Sequence, residues 1–358
     1  MSFDYLEFPK YYKRFEAQPD QFTESQCLNL IEKYQISNPE LKISASFDSE
    51  ELDVFETELN ESINDNNLNL PKILSMIPKY YVCMEIKRLT SMLDRVLMAN
   101  NYTEILCHLY ISYTYRIWFF GGTYSKYLMT NYKRISMIKP KEKKRIQSLI
   151  NLVEILTFFN NFRDLEFQDL DLTIEEIKEH NLLKEYSYVL ILQQMLMRPF
   201  NEVEVNDEIS DVLHGTPLLN LLHDCQDFTI DFNKYDNLAL NDIDFILPIA
   251  YNTTFENYFK LVLKFKCFLN LIRISSKIPS DQVKLLIGDD NVTKYILLIG
   301  SLNLKSIGIG YNVNEDYFYN SGGNQSLLHD DIIKINEILE SERISLLVKN
   351  DLVNRLTG

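Results

Sequence analysis

Along most of the chain, apolar residues recur every three or four positions, which is the spacing of amphipathic α-helices. From residue 71 to about residue 198 one such pattern follows another, with few glycines or prolines between them. Helices of about 15 to 20 residues with short links and no repeat of fixed period are typical of an α-solenoid-like helical-repeat array or an irregular bundle. Shorter apolar pieces occupy residues 200–252. The pattern therefore predicts a mainly α fold with a helical array over residues 71–252.

Residues 1–70 divide into a polar and aromatic start and a strongly acidic stretch. The start of the chain predicts a partly ordered arm. In residues 48–66, dense acidic side chains surround apolar positions at helical spacing, which predicts an amphipathic helix with a solvated acidic face. The apolar positions are Leu52, Phe55, Leu59 and Ile63. The alternative is an acidic tail that binds a partner.

A different order of elements is predicted for residues 253–322. A long apolar helix over residues 255–278 is followed by two shorter helices, of which the second spans residues 290–299. The short β-prone runs "LKSIGIGYN" and "DYFYN" come next, joined by the polar "VNE", and predict a hairpin. Three helices followed by a hairpin are the elements of a winged helix. This part of the chain is therefore predicted to be a winged-helix module.

Gly300, Gly308 and Gly310 make residues 297–312 the most glycine-rich stretch of a chain with ten glycines. A dinucleotide-binding loop needs G-x-G-x-x-G between a strand and a helix. Here Val313 stands at the third glycine position, and a polar and aromatic run follows instead of a helix. The Walker A pattern is also absent from the sequence. The glycines are therefore predicted to end a helix and shape a turn, not to bind phosphate.

The stretch "SDQVKLLIGDDNVTKYILLIGSLNLKSIGIGYNVNEDYFYN" resembles the winged-helix half of a PCI domain. This module is shared by subunits of the proteasome lid, the COP (constitutive photomorphogenesis) signalosome and translation initiation factor 3. The resemblance implies that a turn at Gly300-Ser301 ends the third helix, that residues 304–310 are the first wing strand, and that "DYFYN" closes the wing. It also implies a helical-repeat array before the module, which agrees with residues 71–252.

Residues 323–358 carry a narrow apolar seam in an otherwise charged sequence, with the spacing of one long helix. The apolar residues of this seam are Leu328, Ile332, Ile335, Leu339, Leu346, Val353 and Leu356. A lone helix cannot bury such a seam, and the resemblance implies bundling, because PCI subunits of the lid and the signalosome end in helices that pack together. The prediction is a C-terminal helix whose seam contacts partner chains. Folding back on its own domain is the alternative.

The chain has 36 Lys and Arg residues against 51 Asp and Glu residues, a formal net charge of −15. Such a field repels nucleic acid and anionic lipid. One segment, residues 133–145, is basic in this acidic chain, because it carries seven cations and a single acid, Glu142. These cations are Lys133, Arg134, Lys139, Lys141, Lys143, Lys144 and Arg145. The segment is interpreted as a solvated loop and first helical turn, or alternatively as a surface for an acidic partner or RNA.

Five cysteines are scattered along the chain without a C-x-x-C pair, which favours reduced thiols. The first residues lack the apolar core of a signal peptide, and no apolar run approaches the ~20 residues of a membrane span. We therefore expect a cytoplasmic protein, a nuclear protein, or one found in both compartments, without a membrane partner.

No sequence pattern singles out a catalytic or metal site. The nucleophile-elbow, kinase and H-E-x-x-H patterns are absent from the sequence. The best histidine cluster is His214, His223, Asp224 and Cys225, but side chains two positions apart on a helix diverge, so helix-surface histidines are the interpretation. Carboxylates are numerous and none stands out. We therefore expect no catalytic residue, metal, cofactor or small-molecule substrate.

These observations predict a non-catalytic scaffold subunit of a multi-subunit PCI-type complex, similar to the COP signalosome or the proteasome lid, that acts through protein–protein contacts. DNA reading is disfavoured because the would-be recognition helix begins Asp289-Asp290-Asn291 and carries one cation, Lys294. One alternative is an RNA-binding or mRNA-export PCI protein that uses residues 133–145. The other is an all-helical enzyme with an unrecognised carboxylate or histidine site.

Overall fold

The structure, a computed structural model, describes residues 3–34, 50–65, 67–121, 126–161, 177–178, 182–227, 249–288, 292–301 and 304–321. Within these residues the protein is mainly helical, with one small sheet of three strands. The prediction of a mainly α fold is therefore confirmed. The predicted seam residues Leu328, Ile332, Ile335, Leu339, Leu346, Val353 and Leu356 all lie outside the described residues.

The chain forms two compact units, and its path alternates between them. The first unit takes residues 1–162, 169–186 and 244–253, and the second takes residues 163–168, 187–243 and 254–358. In the first unit, the Tyr251 ring lies 4.6 Å from the Phe119 ring, and Asn252 Nδ2 donates a hydrogen bond of 3.0 Å to the Phe159 carbonyl. The first unit is thus completed by residues that follow much of the second unit in sequence.

Helix α6 holds the centre of the first unit, where it contacts α5, α7 and α9. The described helices up to residue 161 are α1 (Phe8–Ala17), α2 (Gln21–Lys33), α3 (Glu50–Asn64), α4 (Leu70–Val82), α5 (Ile86–Ala99), α6 (Thr103–Phe120), α7 (Lys126–Ser136), α8 (Pro140–Arg145) and α9 (Gln147–Asn161). Most of α6 is buried, as its nearly all-round apolar sequence predicts. It ends before Gly121, whose φ of 77° only glycine adopts readily.

The N-terminal residues belong to the core of the first unit. Asp4–Glu7 form a short 3-10 helix that runs into α1, and Phe8 is fully buried. The Tyr5 ring lies 5.3 Å from the Tyr81 ring, which in turn lies 5.4 Å from the Tyr115 ring of α6. The prediction of a partly ordered arm is wrong for these residues. Aromatic side chains bury large apolar areas even in a polar sequence when a core accepts them.

A proline inside a helical pattern predicts a break near it, as at Pro78, but helix α4 continues through this residue. The break comes after Val82, where Met84 adopts a φ of 58°. The backbone N–H groups of Met84 and Glu85 donate to carbonyls in the last turn of α4, which satisfies the helix end. The proline signal therefore misplaces this boundary by about one helical turn.

The second unit contains the later helices and the sheet. Its described helices are α10 (Leu183–Met197) from Ser187 onward, α11 (Asp207–Leu213), α12 (Pro217–Gln226), α13 (Thr253–Ile274) from residue 254, α14 (Ser280–Ile287) and α15 (Thr293–Ser301). Its strands are β1 (Lys277–Pro279), β2 (Ile309–Asn312) and β3 (Tyr317–Asn320). Strand β3 pairs antiparallel with both others, which gives the order β1-β3-β2. We call residues 254–321 the three-strand module.

Stacked and edge-on aromatic rings join the sheet of the three-strand module to its helices. The ring centroid of Phe268, in α13, lies 4.9 Å from that of Tyr295 in α15 and 4.9 Å from that of Phe318 in β3. All three side chains are fully buried. Through these contacts α13, α15 and β3 share one hydrophobic core, although they are far apart in sequence.

Strand β1 replaces the end of a predicted helix. The apolar pattern predicts a helix through residue 278, but α13 ends at Ile274, before the polar pair Ser275-Ser276. Ile278 is buried opposite Phe318 of β3. Pairing with β3 gives these residues the hydrogen bonds that a helix would have given them, and such pairing depends on context more than on local sequence.

Strands β2 and β3 form the predicted hairpin, although β2 begins later than expected. Leu304–Ile307 form a short 3-10 helix, and Gly308 follows with a φ of 88°. Strand β2 then places Gly310 opposite Tyr319, and a Cβ atom at Gly310 would lie 2.3 Å from the Tyr319 hydroxyl oxygen. The close approach of this ring explains why a glycine occupies the strand.

Candidate interaction surfaces

The basic segment, residues 133–145, spans the end of α7, a short connection and all of α8. Lys133 and Arg134 lie in the last turn of α7, and Lys139 directly precedes α8. The cations within α8 are Lys141, Lys143, Lys144 and Arg145. Lys143 is half-buried, and the other six cations are exposed. In the described part of the chain, no carboxylate forms a salt bridge with any of the seven.

Apolar side chains hold the basic segment against the first unit. Ile135, Ile138 and Ile146 are all buried. Arg134 donates from Nη2 to Asn101 Oδ1 over 2.7 Å, so a neutral amide positions this cation. The exposed cations therefore extend from a backbone that is fixed by its own buried residues.

Helix α3 confirms the predicted acidic amphipathic helix, but its acidic face is not simply solvated. Its apolar residues Leu52, Phe55 and Leu59 are buried. Salt bridges join Lys72 to Glu58, Lys79 to Glu51, Arg88 to Asp53 and Glu56, and Arg95 to Glu56. The cations all come from α4 and α5. Glu51, Asp53 and Glu58 are exposed, as the solvated-face prediction expects, while Glu56 is half-buried. All four acids also pair with cations of the same chain.

Glu56 is the centre of this ion-pair network. Its Oε1 lies 2.6 Å from Arg88 Nε and accepts a hydrogen bond of 2.9 Å from the Tyr80 hydroxyl. Its Oε2 lies 3.1 Å from Arg95 Nη2. Several donors on one half-buried carboxylate make a stronger contact than an isolated surface pair. The network thus fixes α3 on α4 and α5.

Replacing Arg88 with methionine is expected to lower the free energy of unfolding by about 1–2 kcal/mol. The change keeps an apolar stem but removes the cation that Asp53 and Glu56 share. Because salt screens ion pairs, the difference from the wild type should shrink between low salt and ~1 M salt. Urea unfolding at both salt concentrations measures this.

Lys13→Met is the matched control for Arg88→Met. Lys13 forms an exposed pair with Glu16 three positions away, so its loss should cost less than about 0.5 kcal/mol. Equal losses in the two variants would contradict a stabilising network around Glu56.

Large apolar side chains are exposed on the helices of the three-strand module. Leu285 and Leu286 in α14 are 82% and 51% exposed, and Leu297 in α15 is 48% exposed. The opposite side of α14 buries Val283 and Ile287 completely. Single exposed leucines are ordinary, but three on two consecutive helices mark a candidate surface for protein contacts.

The charge on α15 does not suit a nucleic acid groove. Lys294 is the one charged residue between Thr293 and Ser301, and its Nζ lies 5.4 Å from the centroid of the Tyr295 ring. A recognition helix normally offers several donors to phosphates and base edges. The helix thus offers a single cation for such contacts.

The histidine cluster indicated by the sequence is spread between surface and interior. His214 and His223 are exposed, Asp224 is half-buried, and Cys225 is buried. The prediction of surface histidines is therefore confirmed. Within the described ranges, no three His, Cys, Asp or Glu side chains are grouped so that they could hold a metal ion.

A lysine and two buried thiols form a polar cluster that no sequence pattern indicates. Lys266 Nζ donates to the carbonyls of Met195 and Arg198 over 2.6 and 2.8 Å, and the thiols of Cys225 and Cys267 are hydrogen-bonded to each other. Burial lowers the pKa of Lys266 to about 7, against the opposing effect of the two thiols. The Cys267 contact and burial raise the pKa of Cys225. Lys266 caps the carbonyl end of α10, and the raised pKa keeps the Cys225 thiol protonated at neutral pH.

His108 is a buried titratable residue of α6. It is 3% exposed, and its Nε2 has no hydrogen-bond partner among the residues that the structure describes. Burial lowers its pKa from the ordinary 6.5 to about 4. His108 is therefore neutral in the folded protein at neutral pH.

No family model, curated protein or solved structure matches this chain. The resemblance to the PCI domain stays a prediction. None of the helices in the described ranges combines the length and the apolar character that crossing a membrane requires. The fold itself defines a mainly helical protein with a small helix-and-sheet module, and its surfaces are the basis for the function proposed below.

Proposed function

We propose that the protein is a non-catalytic scaffold subunit of a multi-subunit PCI-type complex, similar to the COP signalosome or the proteasome lid. The observation that carries the proposal is the element order of the three-strand module. A helix, a strand, two helices and a hairpin follow one another, and β3 lies between β1 and β2. This order supports a winged helix, the module that the resemblance implies.

Exposed apolar residues support protein contact as the use of this module. Leu285, Leu286 and Leu297 would become buried if α14 and α15 packed against a neighbouring subunit. Buried leucines of this kind contribute about 1.5–3 kcal/mol each in apolar transfer free energy. A single cation, Lys294, makes α15 a poor match for DNA phosphates.

The sheet supports the same use through its outer strands. Because β3 is central, β1 and β2 each present an outer edge within the described sheet. Edge strands carry backbone N–H and C=O groups that a neighbouring strand can pair with. We propose that the module packs edge to edge with a neighbour, and that the seam of residues 323–358 joins a helical bundle of partner chains.

The proposal is tested by purifying the tagged full-length chain from cells and identifying co-eluting chains by mass spectrometry. We expect a defined set of subunits in near-stoichiometric amounts, which co-migrate in size-exclusion chromatography at moderate salt. A wild-type chain that elutes alone as a monomer under the same conditions would overturn the proposal.

The double substitution Leu285→Glu/Leu286→Glu is expected to reduce recovery of the co-eluting chains at least ~10-fold, because charged side chains cannot be buried in an apolar contact. The thermal unfolding temperature should stay close to that of the wild type, since both leucines are exposed in the free chain. Quantitative mass spectrometry measures recovery, and calorimetry measures stability.

Met98→Glu is the matched control for the leucine variant. Met98 in α5 is 86% exposed, so the change adds a negative charge at an exposed apolar site of the first unit. Recovery of partner chains should be unchanged. If both variants lose partners equally, the module is not the contact surface.

A further inference from the structure

The cations of the basic segment lack carboxylate partners in a chain rich in acids. Four cations of α4 and α5 pair with acids of α3, whereas none of the seven in residues 133–145 has a salt bridge within the described part of the chain. Clustered like charges repel one another, and an anion that binds them relieves this repulsion. Within the described part of the chain, the basic segment thus lacks carboxylates to pair with its cations.

The basic segment is also held in place before any partner arrives. Ile135, Ile138 and Ile146 anchor its backbone, and Arg134 is positioned by Asn101. A surface that is already ordered loses less entropy on binding than a flexible tail. The cations are therefore presented by a fixed turn between two helices.

One apolar side chain is exposed within the cationic surface. Met137 lies between the cations of α7 and those of α8 in sequence, and it is 81% exposed. Methionine is flexible and polarizable, so it adapts to apolar groups of different shape. The segment therefore offers an apolar contact as well as positive charge.

We infer that residues 133–145 bind an acidic amphipathic peptide segment of a partner protein. The cations contact its carboxylates, and Met137 contacts one of its apolar side chains. Helix α3 shows the same chemistry inside this chain, since its acids pair with lysines and arginines while Leu52 and Phe55 pack beneath them. The inference rests on the proposed scaffold role, because the partner is another chain of the assembly.

Nucleic acid fits this surface less well than an acidic peptide. The net charge of −15 opposes the approach of a long polyanion, which carries its charge far beyond the segment. Residues 133–145 contain no aromatic residue on which an unpaired base could stack. A short acidic peptide needs only the local cations and one apolar contact.

Binding is tested with the purified full-length chain and a fluorescein-labelled synthetic peptide of about 15 residues with Glu and Asp on one helical face and Leu and Phe on the other. A control peptide has Gln and Asn in place of every acid, and a labelled single-stranded RNA of similar length is the third probe. Fluorescence anisotropy should show binding of the acidic peptide alone. Its affinity should fall at least ~10-fold between low and moderate salt.

The variant Lys141→Glu/Lys143→Glu/Lys144→Glu/Arg145→Glu should weaken peptide binding at least ~30-fold, and Met137→Glu should weaken it about 3- to 10-fold. The control Arg273→Glu/Lys305→Glu changes two exposed cations of the second unit and should alter affinity less than ~2-fold. If the charge-reversal variant unfolds, Lys141→Gln/Lys144→Gln gives a milder test, with an expected loss of about 5-fold.

Equal binding of the acidic and amide peptides, or unchanged binding by the charge-reversal variant, would overturn the inference. Tighter binding of RNA that is lost in the same variant would overturn it in favour of a nucleic acid surface. Neither result affects the proposed scaffold role, which fails only if the wild-type chain purifies without partners. Conversely, the chain could purify without partners and still bind the acidic peptide through these cations. The peptide-binding surface would then stand, and its proposed role in an assembly would be refuted.

Discussion

The substitution Gly310→Val is expected to lower the free energy of unfolding by about 1–2 kcal/mol. An added Cβ atom would lie 2.3 Å from the Tyr319 hydroxyl oxygen and 2.4 Å from Cζ of the same ring, well inside contact distance. Either the ring or strand β2 must move. The atoms in the way belong to the far end of the half-buried Tyr319 side chain, so we expect the ring to turn away and its packing over Gly310 to be lost.

Urea unfolding followed by circular dichroism measures this loss, and Gly300→Ala is the matched glycine control. An added Cβ at Gly300 meets no atom within 4 Å, and alanine is a better helix former, so stability should be unchanged or rise by up to about 1 kcal/mol. In the double variant Gly310→Val/Tyr319→Ala the clash is absent. Its loss of unfolding free energy should therefore be smaller than the sum of the two single losses by at least about 1 kcal/mol. Additive losses would show that ring crowding is not the cause.

Acidification is expected to reduce folding stability by about 2 kcal/mol between pH ~7.5 and pH ~5 through His108 alone. In the unfolded chain this histidine takes up a proton as the pH falls below its ordinary pKa of 6.5. In the folded protein burial lowers the pKa to about 4, so the side chain stays neutral over the same range. The unfolded state therefore binds more protons, and stability falls from pH ~6.5 to ~4 and changes no further below that.

Unfolding by urea at a series of pH values isolates this effect when the wild type is compared with His108→Leu. The variant should lose about 2 kcal/mol less than the wild type over the same pH interval. Since Nε2 has no hydrogen-bond partner among the described residues, an apolar replacement should itself cost little at neutral pH. If the stability of His108→Leu falls with pH as steeply as that of the wild type, the assignment to His108 is contradicted.

Helices are predictable from this sequence where the apolar pattern is long and local. The nearly continuous apolar run of α6 and its end at Gly121 are visible in the sequence and present in the structure. The proline rule fails in α4, because Ile77 and Tyr81 on either side of Pro78 are buried in a packed core. Burial of large side chains there outweighs the roughly 3 kcal/mol that an interior proline costs.

Contacts between distant residues are what the sequence does not reveal. Arg88 pairs with Asp53, 35 positions away, and no local pattern connects them. The pairing of Ile278 with Phe318 likewise makes a strand from residues whose apolar neighbours predict a helix. In both cases tertiary contact overrides local preference.

The candidate surfaces were only partly visible in the sequence. Composition alone identifies the basic segment, but its exposure and its lack of acid partners depend on the fold. Leu285 and Leu297 lie in apolar runs whose sequence does not tell which side chains are exposed, and the structure places both on the surface. Hydrophobic character does not distinguish a core residue from an interface residue.

The alternating path of the chain has a consequence for how the protein matures. During synthesis the first unit cannot close until Tyr251 and Asn252 have left the ribosome, because these residues contact Phe119 and Phe159. By then residues 187–243, which belong to the second unit, have already emerged. A nascent or truncated chain that ends at residue 161 would lack both contacts. The first unit therefore gains these contacts only after residues 187–243 have been made, and a ribosome that stalls before residue 251 leaves the first unit without them.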